Sequence, residues 1–556
     1  MILAEKTVFS IKKFEKFPKY SWDIEQNLKK IELNDEQKSA CTAFYQSAGK
    51  PFLLEGVTGS GKTEIYLSLV ADFLKKHQQG LILFPEIVLA TQISERIEQY
   101  FGFRPQIWNS NISPKKRREI WHGALSGDCP LVIGARSALF LPFRNLGIIV
   151  VDEEHDSSYK QEEMGLYNAR DMAVVLAHIK QIPTILSSAT PSLETKVNAM
   201  NGKYGHALVS SRFGTSKMPS IHLIDMKQNR FQGGFISPIL LNEIKETIAR
   251  KEQCLIYLNR RGYSPITFCS SCGEKLSCPN CTAWLVYHKE FKKEICHCCG
   301  FKMDIPNTCK NCGENSFIQY GPGVERIFEE LKQKLPNARI EIASSDTLLG
   351  KNTEDFIKRV RNNEIDILIG TQILAKGHHF ANMTLVGVID GDLGLFGADI
   401  RSGERTYQMI SQVAGRAGRG EKPGKILIQT FNPEHSLYSA MQQNNTEKFL
   451  NLEIASREKN SLPPFTKLAS VIISGTNREL TEKIAHELVQ KHIENVRILG
   501  PAPAPRFLLR GRTRWRILLK SSKNFPLSNA IKIWISSIKI PKNIKIQIDI
   551  DPISFL

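Results

Sequence analysis

Residues 51–63 read PFLLEGVTGSGKT: an apolar run enters a glycine-rich turn and leaves it through Lys62 and Thr63 into the helical pattern TEIYLSLVADFL. GVTGSGKT, residues 56–63, matches G-x-x-x-x-G-K-[ST] in the strand–turn–helix setting that a phosphate loop requires. That setting commits this part of the chain to a βα unit of a parallel sheet. The backbone N–H groups of Gly56, Val57, Thr58, Gly59, Ser60 and Gly61, with the helix N-terminus behind them, suit an oligophosphate. Lys62 is expected to reach the β- and γ-phosphates and Thr63 to hold Mg²⁺. A chance glycine-rich turn is the alternative, and the flanking strand and helix argue against it.

The same alternation extends along most of the chain. GLILF, PLVIG, GIIVVD and PTILSS are apolar without polar alternation, as strands buried on both faces of a parallel sheet should be. Residues 87–101 and 168–180 between them read as helices. SRFGTSKMPS, 211–220, reads as a linker. The rhythm resumes with CLIYL (254–258), ARIEIAS (338–344), DILIG (366–370), LVGVID (385–390) and KILIQTF (425–431). From about residue 450 it changes to β-α-β-β-α-β, which suggests a ferredoxin-like α+β domain. The expected division is a short segment 1–30, an ATP-binding lobe 31–212, a second lobe 213–445 with a cysteine-rich insertion 266–318, and a C-terminal domain 446–556. The length, 556 residues, accommodates three to four domains of about 150 residues.

Two further runs belong with the phosphate loop. GIIVVDEEHD, 147–156, is a buried strand ending in carboxylates. Asp152 is placed to partner Mg²⁺ and Glu153 to polarise an attacking water. His155 either senses the γ-phosphate or is a plain surface histidine. SATPS, 188–192, follows a strand at the same sheet edge, where its hydroxyls can link hydrolysis to lobe movement. In the second lobe, QVAGRAGRG (412–420) ends a helical segment and puts Arg416 and Arg419 on one helical face. Arginines offered to a γ-phosphate are the arginine-finger device, and Gly415 and Gly418 argue for close approach. Two lobes closing on one nucleotide, each gripping a nucleic-acid strand, would turn hydrolysis into translocation.

Charge points the same way. Lys+Arg outnumber Asp+Glu by 74 to 56, a formal charge of +18, which favours a polyanionic partner. No window approaches 18 uninterrupted apolar residues, and MILAEKTVFSIKK has no apolar signal region. The expectation is a cytoplasmic protein without a membrane partner. Eight of the twelve cysteines form four CxxC pairs: Cys269/Cys272, Cys278/Cys281, Cys296/Cys299 and Cys309/Cys312. CxxC lets two thiolates from one tight turn bind one tetrahedral zinc, so eight ligands serve two structural zinc ions. Gly273, Gly300 and Gly313 follow three of the knuckles. Disulfides and iron–sulfur ligation are the alternatives, and spacing leaves the pairing of the knuckles open. Cys298 sits inside a knuckle, while Cys41, Cys129 and Cys254 read as buried thiols. Lys275, Lys289, Lys292, Lys293 and Lys310 make the insertion basic enough to touch DNA or a protein partner.

These runs together resemble a superfamily 2 helicase, and more narrowly the PriA family of primosomal replication-restart helicases. The similar stretches are LNDEQ (33–37), GVTGSGKT, LFPEIVLATQ (83–92), GARSALFLPF (134–143), DEEHD, SATPS, LNRRGYSP (258–265), the cysteine cluster, GTQILAKGHHF (370–380), ADIRSGERTYQ (398–408), QVAGRAGR, LPPF (462–465) and GPAPAP (500–505). The resemblance implies two RecA-like lobes, ATP with Mg²⁺, and 3′-to-5′ DNA unwinding at stalled or abandoned forks that leads to primosome assembly. It implies forked and single-stranded DNA, other primosome proteins and single-stranded-DNA-binding protein as partners. Gln37 would contact adenine, and Gly377 and Arg136 would lie near nucleotide or DNA. Tyr159, Lys160 and Tyr167 match a loop that couples DNA binding to hydrolysis; the tyrosines either stack on a base or simply pack against the lobe. It also implies nested zinc pairing: Cys269, Cys272, Cys309 and Cys312 on one ion, Cys278, Cys281, Cys296 and Cys299 on the other.

The sequence departs from the family at His379, where Asp is usual, at Asn109, where His is common, and at Gly391, where Ala is usual. The family also carries a DNA-binding and a winged-helix domain ahead of the LNDEQ motif, where about thirty residues stand here. Fork binding driven mainly by charge, with poor discrimination of a 3′-hydroxyl, is the corresponding expectation. A non-catalytic scaffold for primosome assembly and another superfamily 2 translocase, acting on RNA, are the competing readings.

Overall fold

A computed structural model describes residues 31–556 except 86, 162–164, 213–217, 229–233, 259–265, 280–284, 289–292, 297–300, 321–323, 344–351, 371–379, 381, 393, 396–398, 419–421, 444 and 556. The chain divides into two compact units, one made of the residues up to Gly56 with Gly61–Pro191 and Asn198–Ser210, the other of Val57–Ser60, Ser192–Val197 and the residues from Ser211 onward. Among the described residues, no helix is long and apolar enough to cross a membrane.

Each apolar run of the first unit is a fully buried strand: β1 (Phe52–Gly56), β2 (Gln79–Leu83), β4 (Leu131–Gly134), β5 (Leu146–Asp152) and β6 (Thr184–Ser188), buried except at Asp152. Two short strands complete the parallel sheet, β3 (Gln106–Trp108) and β7 (Gly205–Val209), giving the order β3-β4-β2-β5-β6-β1-β7. Both additions are edge strands, whose exposed outer positions hide them from a search for continuous apolar runs. The order makes β5, β6 and β1 neighbours, so the turns leaving their C-terminal ends converge. The helices are α1 (Asp35–Gln46), α2 (Lys62–Leu74), α3 (Ile87–Phe101), α4 (Pro114–Ser126), α5 (Ala169–Lys180) and α6 (Leu193–Met200). A capping box starts α1: Asn34 Oδ1 accepts from Gln37 N–H and Gln37 Oε1 accepts from Asn34 N–H, each at 2.9 Å.

The second unit opens on a strand inside the expected linker and beyond it, β8 (Ser220–Asp225), which pairs with the far edge of the second parallel sheet. Its alternating exposure is that of an edge strand. Then come β9 (Gln253–Tyr257) and an antiparallel ribbon of β10 (Ile266–Cys269), β11 (Val286–His288), β12 (Lys293–Ile295), β13 (Lys302–Met303) and β14 (Phe317–Tyr320). The parallel sheet resumes with β15 (Ile340–Ala343), β16 (Ile367–Gly370), β17 (Met383–Val388) and β18 (Lys425–Thr430), in the order β15-β16-β9-β17-β18-β8. The cysteine-rich segment is thus an insertion between two strands of an α/β sheet.

At the C-terminal end, β19 (Thr466–Gly475), β20 (Val496–Leu509), β21 (Arg512–Ser522) and β22 (Lys545–Ile550) form an antiparallel sheet in the order β20-β21-β19-β22. With helices Arg478–Val489 and Leu527–Ser536 between its strands, this is the ferredoxin-like arrangement. GPAPAP lies within β20, which tolerates it because β20 is an edge strand whose pairing shifts register between Leu499 and Ala502 and again between Pro503 and Leu508.

Arg457, in helix Thr446–Lys459, is fully buried. Its guanidinium meets Glu404 Oε2 at 2.9 Å and Glu453 Oε1 at 3.2 Å, and donates to Pro463 O at 3.3 Å. Removing one partner of such a cluster leaves an uncompensated buried charge, at a cost of about 3–5 kcal/mol. Arg457→Ala should lose about that much stability in urea denaturation. Arg457→Met combined with Glu404→Gln and Glu453→Gln should lose clearly less, because no carboxylate of the cluster is left without its cation.

Candidate nucleotide site and cysteine cluster

The phosphate-loop segment leaves β1 at Gly56 and turns with Ser60 N–H donating to Val57 O at 3.1 Å. Gly59 and Gly61 have φ of +87° and +79°, backbone that favours glycine. Gly61 is the N-cap of α2 and brings no side chain to its first turn. A Cβ at Gly61 would fall 2.2 Å from Gln37 Nε2. The carboxamide of Gln37 therefore caps α1 with its oxygen and abuts the phosphate loop with its nitrogen. The first of these roles was missed in the sequence, although the spacing of Asn34 and Gln37 is that of a capping box.

Lys62 Nζ donates to Gly56 O at 2.8 Å, folded over its own loop, and Thr63 follows it in the first turn of α2. Asp152 ends β5; its Oδ1 accepts from Glu153 N–H at 3.1 Å and its Oδ2 from Tyr66 OH at 3.3 Å. Burial and then the charge of Glu153 push the Asp152 carboxyl up to about 6, against the pull of Lys62 and the Ser187 hydroxyl. Glu153 has φ +47°, strained for a non-glycine residue, and its Oε2 is buried without a hydrogen bond among the described residues. The His155 ring is buried, not a surface histidine. Its Nδ1 lies 2.7 Å from Ser188 Oγ and 3.7 Å from Glu153 Oε2, and its Nε2 lies 3.5 Å from Thr190 Oγ1. Thr190 N–H in turn donates to Ser188 Oγ at 3.0 Å. The DEEHD and SATPS segments are thus joined through one imidazole.

The structure corrects several expectations. Tyr159 does not stack on a base: it is fully buried, and its hydroxyl bridges Asp152 O at 2.6 Å and Leu83 O at 2.9 Å. Lys160 is also buried, and its carbonyl accepts from Arg136 Nη1 at 2.5 Å. Tyr167 is the half-buried member of that set, edge-on to Phe140 at 5.2 Å. Arg416 is not on a helical face, because the helix Ser402–Ala414 ends at Gly415 and Arg416 lies in the following turn, largely buried. Gly418, at φ +64°, allows that turn to pass against Gly424, whose nitrogen would lie 2.4 Å from a Cβ. Arg419, Gly377 and His379 lie outside the described residues. Cys129 and Cys254 are buried thiols, but Cys41 is only half-buried.

In the ribbon, the Sγ atoms of Cys269, Cys272, Cys309 and Cys312 all lie within 4.8 Å of one another. Cys269 and Cys312 are 3.5 Å apart and Cys272 and Cys309 3.6 Å, close to the roughly 3.8 Å edge of a tetrahedron with Zn–S bonds of about 2.3 Å. Two matching knuckles build the set. Gly273 N–H donates to Cys269 O and Gly313 N–H to Cys309 O, each at 2.8 Å, and both glycines have φ +77°. Burial opposes ionisation of Cys269, but the Ser316 hydroxyl and the N–H groups of Cys272 and Ser271 outweigh it and bring the thiol down to about 6. The outer pairing implied by the resemblance is therefore assembled, and the residues fit a tetrahedral thiophilic metal. Of the inner set, Cys278 and Cys296 are buried together around Leu285, while Cys281, Cys299 and Cys298 lie outside the described residues.

Lys275 is not part of a DNA-facing surface. Its ammonium is buried, which lowers its pKa, and it interacts with Asp390 and Asp392, which follow β17. Lys293 pairs with Asp304 at 3.6 Å and Lys310 is exposed, whereas Lys289 and Lys292 lie outside the described residues. A Cβ at Gly273 would lie 2.6 Å from the Phe431 ring, and Phe431 N–H donates to Asp392 Oδ2 at 2.6 Å. The first knuckle is thus packed onto the end of β18.

Comparison with known proteins first defines the class. The DEAD/DEAH box helicase family matches residues 34–198, and the helicase conserved C-terminal domain matches 310–421. The PriA DNA helicase Cys-rich region domain matches 278–303, and the primosomal protein N C-terminal domain 458–553. The replication restart protein PriA of Rickettsia felis is 46% identical over 530 residues, covering 94% of this chain and 81% of the relative. Those of Haemophilus influenzae and Bacillus subtilis are each 38% identical, covering 94% of this chain and 72% and 67% of the relatives. The chain belongs to the PriA family of replication restart proteins.

The buried bridge made by Tyr159 yields a test. Tyr159→Phe removes the hydroxyl from two backbone carbonyls at a cost of about 1–3 kcal/mol. ATP turnover should fall severalfold while DNA affinity is unchanged. A base-stacking role would instead leave both turnover and DNA affinity near wild type, since phenylalanine keeps the ring.

Proposed function

We propose that the chain is an ATP-dependent DNA helicase that unwinds with 3′-to-5′ polarity at stalled or abandoned replication forks and starts primosome assembly. The observation that carries this reading is the convergence of three motifs at adjacent strand ends, β1, β5 and β6, in a chain with helicase and PriA family matches along its length. Residues 31–212 serve as the ATP-binding lobe, 213–445 as the second lobe with its insertion 266–318, and 446–556 as the C-terminal domain. Forked and single-stranded DNA, primosome proteins and single-stranded-DNA-binding protein are the partners, in the cytoplasm.

Lys62 neutralises phosphate charge from the loop, and Gln37 reads adenine, a role supported by its carboxamide lying against Gly61 of the phosphate loop. Thr63 and Asp152 would hold Mg²⁺, which supplies charge neutralisation on the β- and γ-phosphates when bound. Glu153 accepts the proton of the attacking water, its strained backbone setting the direction in which the side chain leaves the end of β5. His155 relays the position of Glu153 to Ser188 and Thr190. Arg416 and Arg419 supply the arginine-finger charge, and Gly377 lies near nucleotide or DNA. Cys269, Cys272, Cys309 and Cys312 would hold one structural zinc, and Cys278, Cys281, Cys296 and Cys299 a second. With every ligand position taken by a thiolate, neither site leaves room for catalytic water.

DNA-stimulated ATP hydrolysis tests the reading. Lys62→Ala should abolish it, and Glu153→Gln should bind ATP without turning it over, both with wild-type DNA affinity. Near-normal turnover by Glu153→Gln would remove that residue from its role, and hydrolysis stimulated by RNA but not DNA would favour the RNA translocase.

Elemental analysis should find about two zinc ions per chain and about one in each of Cys269→Ser and Cys278→Ser. Hydrolysis should survive Cys278→Ser better than unwinding does. Iron, or no metal, would overturn the assignment.

A further inference from the structure

Helix α4 begins PKKRRE, with Ser113 as N-cap and no acid in its first turn. Cations at a helix N-terminus oppose the macrodipole, so Lys115, Lys116, Arg117 and Arg118 stand where fold stability alone would favour acids. Lys116 is compensated by Glu119 at 3.5 Å. Arg117 lies over the Trp108 ring at 5.7 Å. Lys115 and Arg118 are exposed and make no ion pair among the described residues. The inner side of α4 buries Ile120, Gly123 and Ala124. The outer side repeats Arg118, Trp121 and Leu125 at helical spacing, with Trp121 42% and Leu125 46% exposed.

This face is not isolated. Trp108 ends β3, next to Gly134 of β4, and its indole N–H donates to Ser137 Oγ at 3.1 Å in the GARSALF turn. In the same turn, Phe140 is 59% exposed. The first turn of α4 and the GARSALF turn therefore follow neighbouring strands on the C-terminal side of the sheet, the side on which the phosphate loop also leaves β1.

We propose that the outer face of α4, carrying Lys115, Arg117, Arg118 and Trp121, is a binding surface for single-stranded DNA. The inference rests on the DNA-helicase reading and extends it to residues outside the helicase motifs. Lys115 and Arg118, which make no ion pair among the described residues, match phosphates, and the exposed Trp121 indole beside them offers a base a stacking plane, a pairing that suits a single strand. The charge is one-signed on this face: Glu119, the acid of α4, is engaged by Lys116.

The test is oligo-dT binding by fluorescence anisotropy with the full chain, without nucleotide, across a salt series. Two phosphate contacts contribute about 1.4 to the slope of log K against log salt, at about 0.7 each for a single strand. Lys115→Gln with Arg118→Gln should therefore flatten the slope by about that amount. Lys180→Gln with Lys203→Gln makes the same change of charge elsewhere on the lobe and should leave it unaltered. Trp121→Ala should weaken binding about tenfold, and Trp121→Phe should recover most of the loss. Equal slopes in the two double variants, or unchanged binding by Trp121→Ala, would overturn the proposal while leaving the helicase reading intact. The same holds if DNA binding is normal but capture of an acidic apolar peptide is lost, which would make the face a protein site. Failure of the wild-type chain to bind oligo-dT at all would overturn both.

Discussion

Asp152 arrives at the C-terminal end of a central strand whose preceding residues are all buried, so its half-buried carboxyl has lost part of its hydration before any ligand is considered. Burial and Glu153 together hold it near 6, and Lys62 is the nearby cation that opposes them. The surrounding residues serve that placement. Tyr66 reaches the carboxylate, Tyr159 holds the backbone carbonyl behind it, and the Glu153 N–H donates to it. The strained Glu153 and the His155 link to the neighbouring strand follow from the same sharp exit of the chain from β5. Electrostatic tension at one strand end thereby organises two adjacent loops.

The continuous apolar runs were legible as strands because a parallel sheet covered on both faces asks for nothing else of its sequence. Edge strands β3, β7 and β8 were not, because exposure on their outer side restores polar residues such as His206 and His222. The ferredoxin-like order was readable from β-α-β-β-α-β, although β20 and β21 run well past VRILG and WRILLK, since prolines within β20 mimic a loop. At the site, Lys62, Asp152 and the CxxC cysteines declared themselves by spacing, whereas the grouping of the outer four rested on the resemblance. Tyr159 stayed open between stacking and packing because the sequence around it holds both acids and a lysine, and only the fold reveals the two carbonyls that its hydroxyl meets. Lys275 misled: a lysine in a short basic segment has its partners more than a hundred residues further along the chain.

That buried lysine changes the standing of the ribbon. A metal-bound loop on a flexible stalk would leave its knuckles surrounded by solvent. Here Gly273 can only be glycine, both for its φ and for its closeness to Phe431, and Phe268 meets the same ring at 5.4 Å. Phe431 is tied by its N–H to Asp392, which also accepts from Thr430 and Tyr438. The knuckle is thus seated on a network of buried polar groups belonging to the parallel sheet.

The prolines of β20 have an effect beyond breaking the register. Pro501, Pro503 and Pro505 have no N–H to offer, and β20 forms the outer margin of its sheet. A neighbouring strand seeking a regular ladder would find donors missing at alternate positions along that margin. The long hairpin can therefore reach outward with its apolar Leu508 and Leu509 without becoming a template for sheet growth between copies of the chain.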